Sequence, residues 1–269
     1  MRYMPLLFIV LGCAVFAQDN FKIYYKDTPS GFKVLADNNE YAPVSAELNM
    51  KLTNLKSSNG NNKVYVIPAM TKEFELTNLT VVDRKKPLKF GFNTSYNFGD
   101  HNLSNYDKDY KYFLPFGKGE TFWLTQGYNG NISHADEYAL DFKMPIGTKI
   151  YAAREGVVTD IEESYSKRCT SPECAKQNNY ITIYHDDGTF AEYTHIKKNG
   201  AEVNIGDRVE KGQFIGYSGD VGWATGPHLH FIVYQQKIKS MQTLKTRFLV
   251  DDGKRFIELQ EKEQYTRNY

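Results

Sequence analysis

The chain has almost no net charge. Thirty-three lysines and arginines stand against 32 aspartates and glutamates, a formal +1 over 269 residues. That balance provides no electrostatic footprint for nucleic acid or for an anionic membrane surface. The apolar run Leu6 to Val10 is too short to cross a bilayer, so no membrane span is expected. No helical periodicity of convincing length and no large internal repeat is present, which excludes a helix bundle and a solenoid. Cysteine is scarce, with three residues in all. Before His101 there is no histidine, and Cys13 is the only cysteine there. The first part of the chain therefore offers little to hold a metal or attack a substrate.

What is there favours β structure. Hydrophobic residues make up 41% and charged residues 24%, ordinary values for a chain that buries a core. Aromatics reach 14%, with 20 tyrosines and 17 phenylalanines, residue types that suit pleated, half-buried surfaces. Met1 to Ala17 reads as a secretory signal: Arg2, then the apolar run, then the small-residue exit Val15-Phe16-Ala17. Cleavage near Ala17 removes Arg2 and leaves the formal charge balanced. An exported location, periplasmic or extracellular, follows. Lipidation at Cys13 ranks second, because Leu11 is bulky where a lipoprotein signal usually has a small residue. Export leaves Cys169 and Cys174, in RCTSPEC, as an even pair suited to a local disulfide.

Residues 18–108 are expected to form a first domain. Alternating segments such as Phe21-Lys22-Ile23-Tyr24, Ala46 to Leu52 and Glu73 to Leu76 are separated by turn formers at Asp37-Asn38-Asn39 and Ser57 to Asn62. This pattern predicts an immunoglobulin-like β-sandwich serving as a spacer or targeting module. The polar stretch 99–109 reads as a linker, with His101 in a solvated loop. Residues 109–269 form the second domain, again β. Tyr180 to His185, Asp186-Asp187-Gly188 and Thr189 to His195 spell a hairpin, and His185 beside its turn reads as a surface residue. The tail, from Ser240 onward, is expected to pack back on this domain.

Five of the six histidines fall between His134 and His230. In Gly226-Pro227-His228-Leu229-His230-Phe231 a strand's period of two puts His228 and His230 on one face, with Leu229, Phe231 and Val233 on the other. Paired imidazoles suggest a metal site. A catalytic zinc needs about three protein ligands and an open position, so further donors must come from elsewhere. His134 and Asp141 are candidates, the latter in an apolar strand where an unpaired carboxylate is costly. His195 offers a further imidazole.

These residues resemble the lysostaphin-type (M23, LytM-like) zinc metallopeptidases, which cut peptide bonds of bacterial cell-wall peptidoglycan. The resemblance runs from about Phe122 to Gln235. It includes His134 with Tyr138-Ala139-Leu140-Asp141-Phe142, the segments 145–153 and 156–158, Tyr193-Thr194-His195, 209–216, and Ser218-Gly219 through Gly226 to Phe231. It implies an antiparallel-sheet metallopeptidase domain with a duplicated-hybrid-like core. It also implies one Zn2+ held by His134, Asp141 and His230, with His195 and His228 acting on the water or on the developing tetrahedral centre. Such an ion brings the pKa of water down to about 7. The expected substrate is a peptidoglycan peptide, a cross-link or stem, and the expected state a monomer. One spacing departs from the family's commoner form, which has three residues between the first His and the Asp. Here there are six, and an odd offset cannot keep both ligands on one face of a regular strand. Ala135-Asp136-Glu137 must therefore loop out, with Asp136 or Glu137 as fallback ligand. Two alternatives stand beside this reading. One is a non-catalytic module that docks on or activates another wall hydrolase. The other is a sugar-transport phosphocarrier fold, disfavoured by the signal.

Overall fold

Period-two alternation becomes strand along nearly the whole chain in the computed structural model, which describes residues 20–269. The expected signal, residues 1–17 with Cys13, lies outside the described residues. The first unit, ending at His101, has seven strands among the described residues: β1 Phe21–Thr28, β2 Gly31–Asn38, β3 Val44–Thr53, β4 Leu55–Ser57, β5 Lys63–Ile67, β6 Thr71–Val81 and β7 Lys89–Phe98. They form two antiparallel sheets, in the orders β1-β2-β6-β4 and β5-β3-β7. Alternate residues Val44, Ala46, Leu48 and Met50 of β3 face Val34 and Ala36 of β2 and Leu76 and Leu79 of β6 in one buried cluster. This is a sandwich, with side chains from two inner faces filling the gap. Its strand order is not the A-B-E-D and C-F-G order of a constant-type immunoglobulin domain, so the likeness goes no further than the two-sheet architecture. Asn38, read as part of a turn, is instead the buried end of β2. Its side-chain amide donates to the carbonyls of Ala42, Ile67 and Pro68, which fastens the following loop from inside.

The chain divides between His101 and Asn102, ahead of the boundary expected at 108/109. Tyr106 and Tyr110 pack on the core of the second unit, and Leu103 lies over Gly188. Residues 102–109 thus belong to the second unit despite their polarity. His101 is half-buried, and its backbone N–H donates to Ser45 Oγ.

The second unit is built on a nine-stranded antiparallel sheet. Its middle runs Gly156–Glu162, Tyr180–Tyr184, Phe190–Thr194, His228–Gln236, Ala139–Lys143 and Thr121–Gln126. One face is apolar: Ile181, Ile183, Ala191, Tyr193, Leu229, Phe231, Leu140 and Phe142 are essentially inaccessible. Each large side chain of this kind stabilises the fold by roughly 1.5–3 kcal/mol. A smaller sheet, Lys149–Tyr151, Phe214–Ser218 and Ile196–Ala201, shares that core through Ile150, Ile215 and Ile196. The tail joins it through Leu244, Phe248, Val250 and Leu259. Registry then decides what the other face presents. Asp141 pairs with His230, Thr194 with His230 and Glu192 with Ile232, so all of these share the face opposite the core. Pro172–Gln177 is a short 3-10 helix, and no helix among the described residues is long and apolar enough to cross a membrane.

His185 is not a surface residue. It is fully buried, with Nδ1 donating to the Glu155 carbonyl at 2.7 Å. The adjacent Gly156 makes room for it, since a Cβ there would come within 3.0 Å of His185 Nδ1 and 2.3 Å of the Tyr184 carbonyl oxygen. The Tyr112 ring packs against the imidazole in a T-shaped contact.

Candidate metal centre

Asp141 and His230 meet because adjacent strands place them directly opposite each other, and His230 Nδ1 lies 2.9 Å from Asp141 Oδ1. His134 reaches them from a turn rather than a strand. Its backbone N–H donates to the Gly130 carbonyl, the Glu137 N–H returns to the His134 carbonyl, and Asp136 takes a left-handed φ of 60°. That turn absorbs the residues between His134 and the strand starting at Ala139 and so resolves the odd spacing. His134 Nε2 lies 3.2 Å from Asp141 Oδ1 and 3.2 Å from His230 Nδ1.

These three atoms form a triangle with edges of 2.9 to 3.2 Å. Ligand atoms about 2.0–2.1 Å from a tetrahedral Zn2+ stand about 3.3 Å apart, so the donor set fits the ion in size and in chemistry. His134 Nδ1 faces the Gly127 carbonyl at 3.0 Å, and a carbonyl can only accept. The proton therefore sits on Nδ1, leaving the Nε2 lone pair directed at the triangle. Asp141 is buried, which by itself raises its pKa. The imidazoles of His134, His230 and His228 around it outweigh burial and hold the carboxyl well below its usual range. His230 is the counterpart: burial depresses it, but Asp141 raises it above the ordinary imidazole value.

Gln126 orients the carboxylate and carries no signal in the sequence. Its amide nitrogen donates to Asp141 Oδ2 at 2.9 Å and to Ser133 Oγ at 2.8 Å. Its oxygen accepts from the backbone N–H groups of Ile132 and Ser133. One side chain thus ties Asp141 to the turn that carries His134. A Cβ on Gly130 would come within 2.4 Å of the Gln126 side chain, so a glycine is what admits it.

The other two imidazoles flank the triangle. His228 and His195 have ring centroids 4.4 Å apart, and His228 Nε2 lies 3.7 Å from Asp141 Oδ1. His228 Nδ1 donates to the Gly226 carbonyl at 2.8 Å and His195 Nδ1 to the Val221 carbonyl at 2.7 Å, so Nε2 is the nitrogen each ring has left for other partners. Burial, followed by the charges of His228 and His230, pushes His195 down to about 3, so this ring is neutral across the physiological range. His195 has a left-handed φ of 67°, a strained setting for a residue with a Cβ. The buried Asn179 holds it there. The Asn179 carbonyl accepts from the N–H groups of His195 and Ile196, while its side-chain amide donates to the carbonyls of Ile196 and Tyr165.

Around these residues lies a cleft of about 550 Å³. One wall carries Ile132 and Ser133; the other carries Ala175, Asn178 and residues 223–227. Cys169 and Cys174 form a disulfide next to Ala175 of the second wall. Cys169 pairs with Trp223, and the Trp223 N–H donates to Asn178 Oδ1, which braces the approach to His228.

Against known proteins, residues 135–242 match peptidase family M23. That stretch belongs to the family. Asp141, His195, His228 and His230 lie inside the M23 match, and His134 immediately precedes it. Over 167 residues the chain is 33% identical to an uncharacterized metalloprotease of Buchnera aphidicola, covering 59% of this chain and 40% of that protein. It is 36% identical over 104 residues to the peptidoglycan DD-endopeptidase ShyA of Vibrio cholerae, covering 38% of this chain and 21% of the relative. With lysostaphin of Staphylococcus simulans the identity is 35% over 130 residues, covering 48% of this chain and 22% of the relative. The chain thus spans less than half the length of these curated relatives. Its M23 unit brings together the five side chains singled out in the sequence, together with Gln126 and Asn179.

Proposed function

We propose that the protein is an exported zinc metalloendopeptidase that hydrolyses peptide bonds of bacterial cell-wall peptidoglycan, in cross-links or stem peptides, and acts as a monomer. The observation that carries this reading is the triangle of His134 Nε2, Asp141 Oδ1 and His230 Nδ1, with edges of 2.9 to 3.2 Å, open to a cleft and flanked by two further imidazoles. Three acceptor atoms converging at such distances repel one another unless a cation or protons lie between them. In this proposal His134, Asp141 and His230 hold one Zn2+. When bound, such an ion acidifies water and polarises a carbonyl group, which is the chemistry amide hydrolysis requires.

The remaining work falls to the chain's own groups. Gln126 fixes Asp141 Oδ2 and so keeps Oδ1 turned toward the two imidazoles. His195, neutral and with its acceptor at Nε2, can accept a hydrogen bond from water in the cleft and so orient it. His228, its Nε2 facing the same centre, can hydrogen-bond a developing oxyanion or return a proton to the leaving amine. The lining residues Ile132 and 223–227 can confine an extended peptide over these groups. The first unit serves as a spacer or targeting module, and export rests on residues 1–17.

The test is incubation of the purified protein with cell-wall sacculi, followed by mass spectrometry of the released muropeptides. Stoichiometric zinc and release of peptide-cleaved fragments are expected, both lost with a chelator and in His230→Ala. Unchanged hydrolysis under both treatments would sink the mechanism. A protein that takes up no zinc and cleaves nothing would leave only a binding role.

A further inference from the structure

Glu192 has no part in the chemistry described so far, yet it sits on the floor of the same cleft. It lies on strand Phe190–Thr194 directly opposite Ile232, one pair of residues along from the Thr194 and His230 pair. In antiparallel sheets that offset is about 7 Å along the strand and about 5 Å across, so Glu192 is some 8 Å from His230 in backbone position. Its side chain lines the cleft together with His195, His228 and His230. Its hydrogen bond comes from the Thr194 hydroxyl, at 2.7 Å, and among the described residues no lysine or arginine pairs with it. Burial raises its carboxyl above the usual range, against the opposing pull of Thr194 and His230, and the nearby Asp160 and Glu137 add to the rise.

Glu192 is half-buried, and a carboxylate partly removed from water without a cation is costly unless something else supplies the charge. The cleft is also polarised along its length. Glu192 and Glu137 lie toward the Ile232 end, while Lys143 pairs with His228 at the other. A ligand that carries a positive charge at the Ile232 end matches this arrangement.

We propose that Glu192 is a specificity determinant that receives a primary ammonium group of the peptide substrate, one or two residues from the bond that is cleaved. The span follows from about 3.3 Å per residue in an extended peptide, set against the separation between Glu192 and His230. The inference rests on the endopeptidase reading for the identity of its ligand. It adds the substrate class: peptides bearing a free side-chain or terminal amine close to the scissile bond. The step is non-covalent, one ammonium to one carboxylate, with Glu137 adding long-range attraction.

The probe is a set of purified soluble muropeptides with their primary amines either left free or acetylated with acetic anhydride. Binding to the zinc-loaded full chain is measured by calorimetry in a His195→Ala background, so that turnover does not consume the probe. Acetylation is expected to weaken binding about tenfold, equivalent to about 1.4 kcal/mol, and by less than about twofold once Glu192→Gln is added. Glu192→Gln keeps the shape of the side chain and removes a half-buried charge that has no cationic partner among the described residues, so its thermal stability should equal or exceed that of the parent. Glu137→Gln should leave an intermediate discrimination. Equal affinity for free and acetylated peptides in the parent would overturn the proposal, as would undiminished discrimination in Glu192→Gln. So would a loss of bound zinc in Glu192→Gln without any change in discrimination, which would make Glu192 a positioning residue for His230. Amine-dependent binding with no hydrolysis by the chain retaining His195 would sink the endopeptidase reading and leave this one standing. Hydrolysis without amine discrimination would do the reverse.

Discussion

His185 makes the stability of the second unit depend on pH in a window that can be worked out from its surroundings. Burial, reinforced by the Arg154 guanidinium, pushes its pKa from 6.5 down to about 4. Nδ1 donates to the Glu155 carbonyl, and Nε2 is buried with no hydrogen-bond partner among the described residues, so the folded state accommodates only the neutral ring. Between pH 6.5 and about 4 the unfolded chain takes up a proton that the folded chain refuses, so stability falls as the pH falls. Two and a half pH units at 1.36 kcal/mol each set a limit of roughly 3 kcal/mol, of which about 2.5 kcal/mol is lost by pH 4.5. Both tryptophans, Trp123 and Trp223, lie in this unit, so urea titrations followed by tryptophan fluorescence report on it alone. His185→Asn retains an N–H for the Glu155 carbonyl and cannot titrate. Its stability at pH 7 should be lower than the parent's because of the smaller side chain. Between pH 7 and pH 4.5 it should lose about 2.5 kcal/mol less than the parent does. His195, whose pKa is also depressed, contributes equally to both proteins and cancels in the difference. Parallel stability curves for the two proteins would refute the reasoning.

Gln126→Ala removes the amide that orients Asp141 and the acceptor for Ile132 and Ser133, so zinc affinity should drop about 10- to 100-fold in competition with a chromophoric chelator; an unchanged affinity would deny Gln126 that role. Tyr193→Phe leaves the Ala153 N–H without the hydroxyl that accepts from it at 2.7 Å inside the core, and should cost about 1–3 kcal/mol in urea denaturation without altering zinc content. Replacing Cys169 and Cys174 together by serine opens a short loop, for an expected loss of about 2 kcal/mol. Because that loop braces one wall of the cleft and not the His134, Asp141 and His230 triangle, KM should rise while kcat changes less. A fall confined to kcat would show that the wall reaches the triangle itself.

Much of the second unit was legible because its signals are local. His228 and His230 share a face by the period of the strand, and the structure adds that Asp141 stands opposite His230 in register. The apolar run Leu229, Phe231 and Val233 turns to the core as alternation requires. The Asp-Gly hairpin forms where the turn residues place it, with Gly188 at a φ of 86°. In the first unit, alternation specified strands and a sandwich. It could not specify which strands pair, because strand order is set by contacts between residues far apart in the chain.

What escaped the sequence was burial decided by partners elsewhere in the chain. His185 looked exposed because it follows a strand and precedes a turn. What buries it is a glycine at 156, the carbonyl of Glu155 and a ring at 112, none of them its sequence neighbours. Gln126 and Asn179 escaped for the same reason. Neither amide has a pattern of its own, yet each satisfies several backbone groups at once and thereby fixes a histidine or carboxylate that does have a pattern. A buried amide that makes three or four hydrogen bonds is replaceable only by a residue that makes the same ones, since any group left unpaired costs about 1–3 kcal/mol. The strained φ at His195 is the visible consequence. Asn179 supplies the bonds that hold His195 and Ile196 in place, and that support lets an imidazole leave the end of its strand and turn toward His228 and His230.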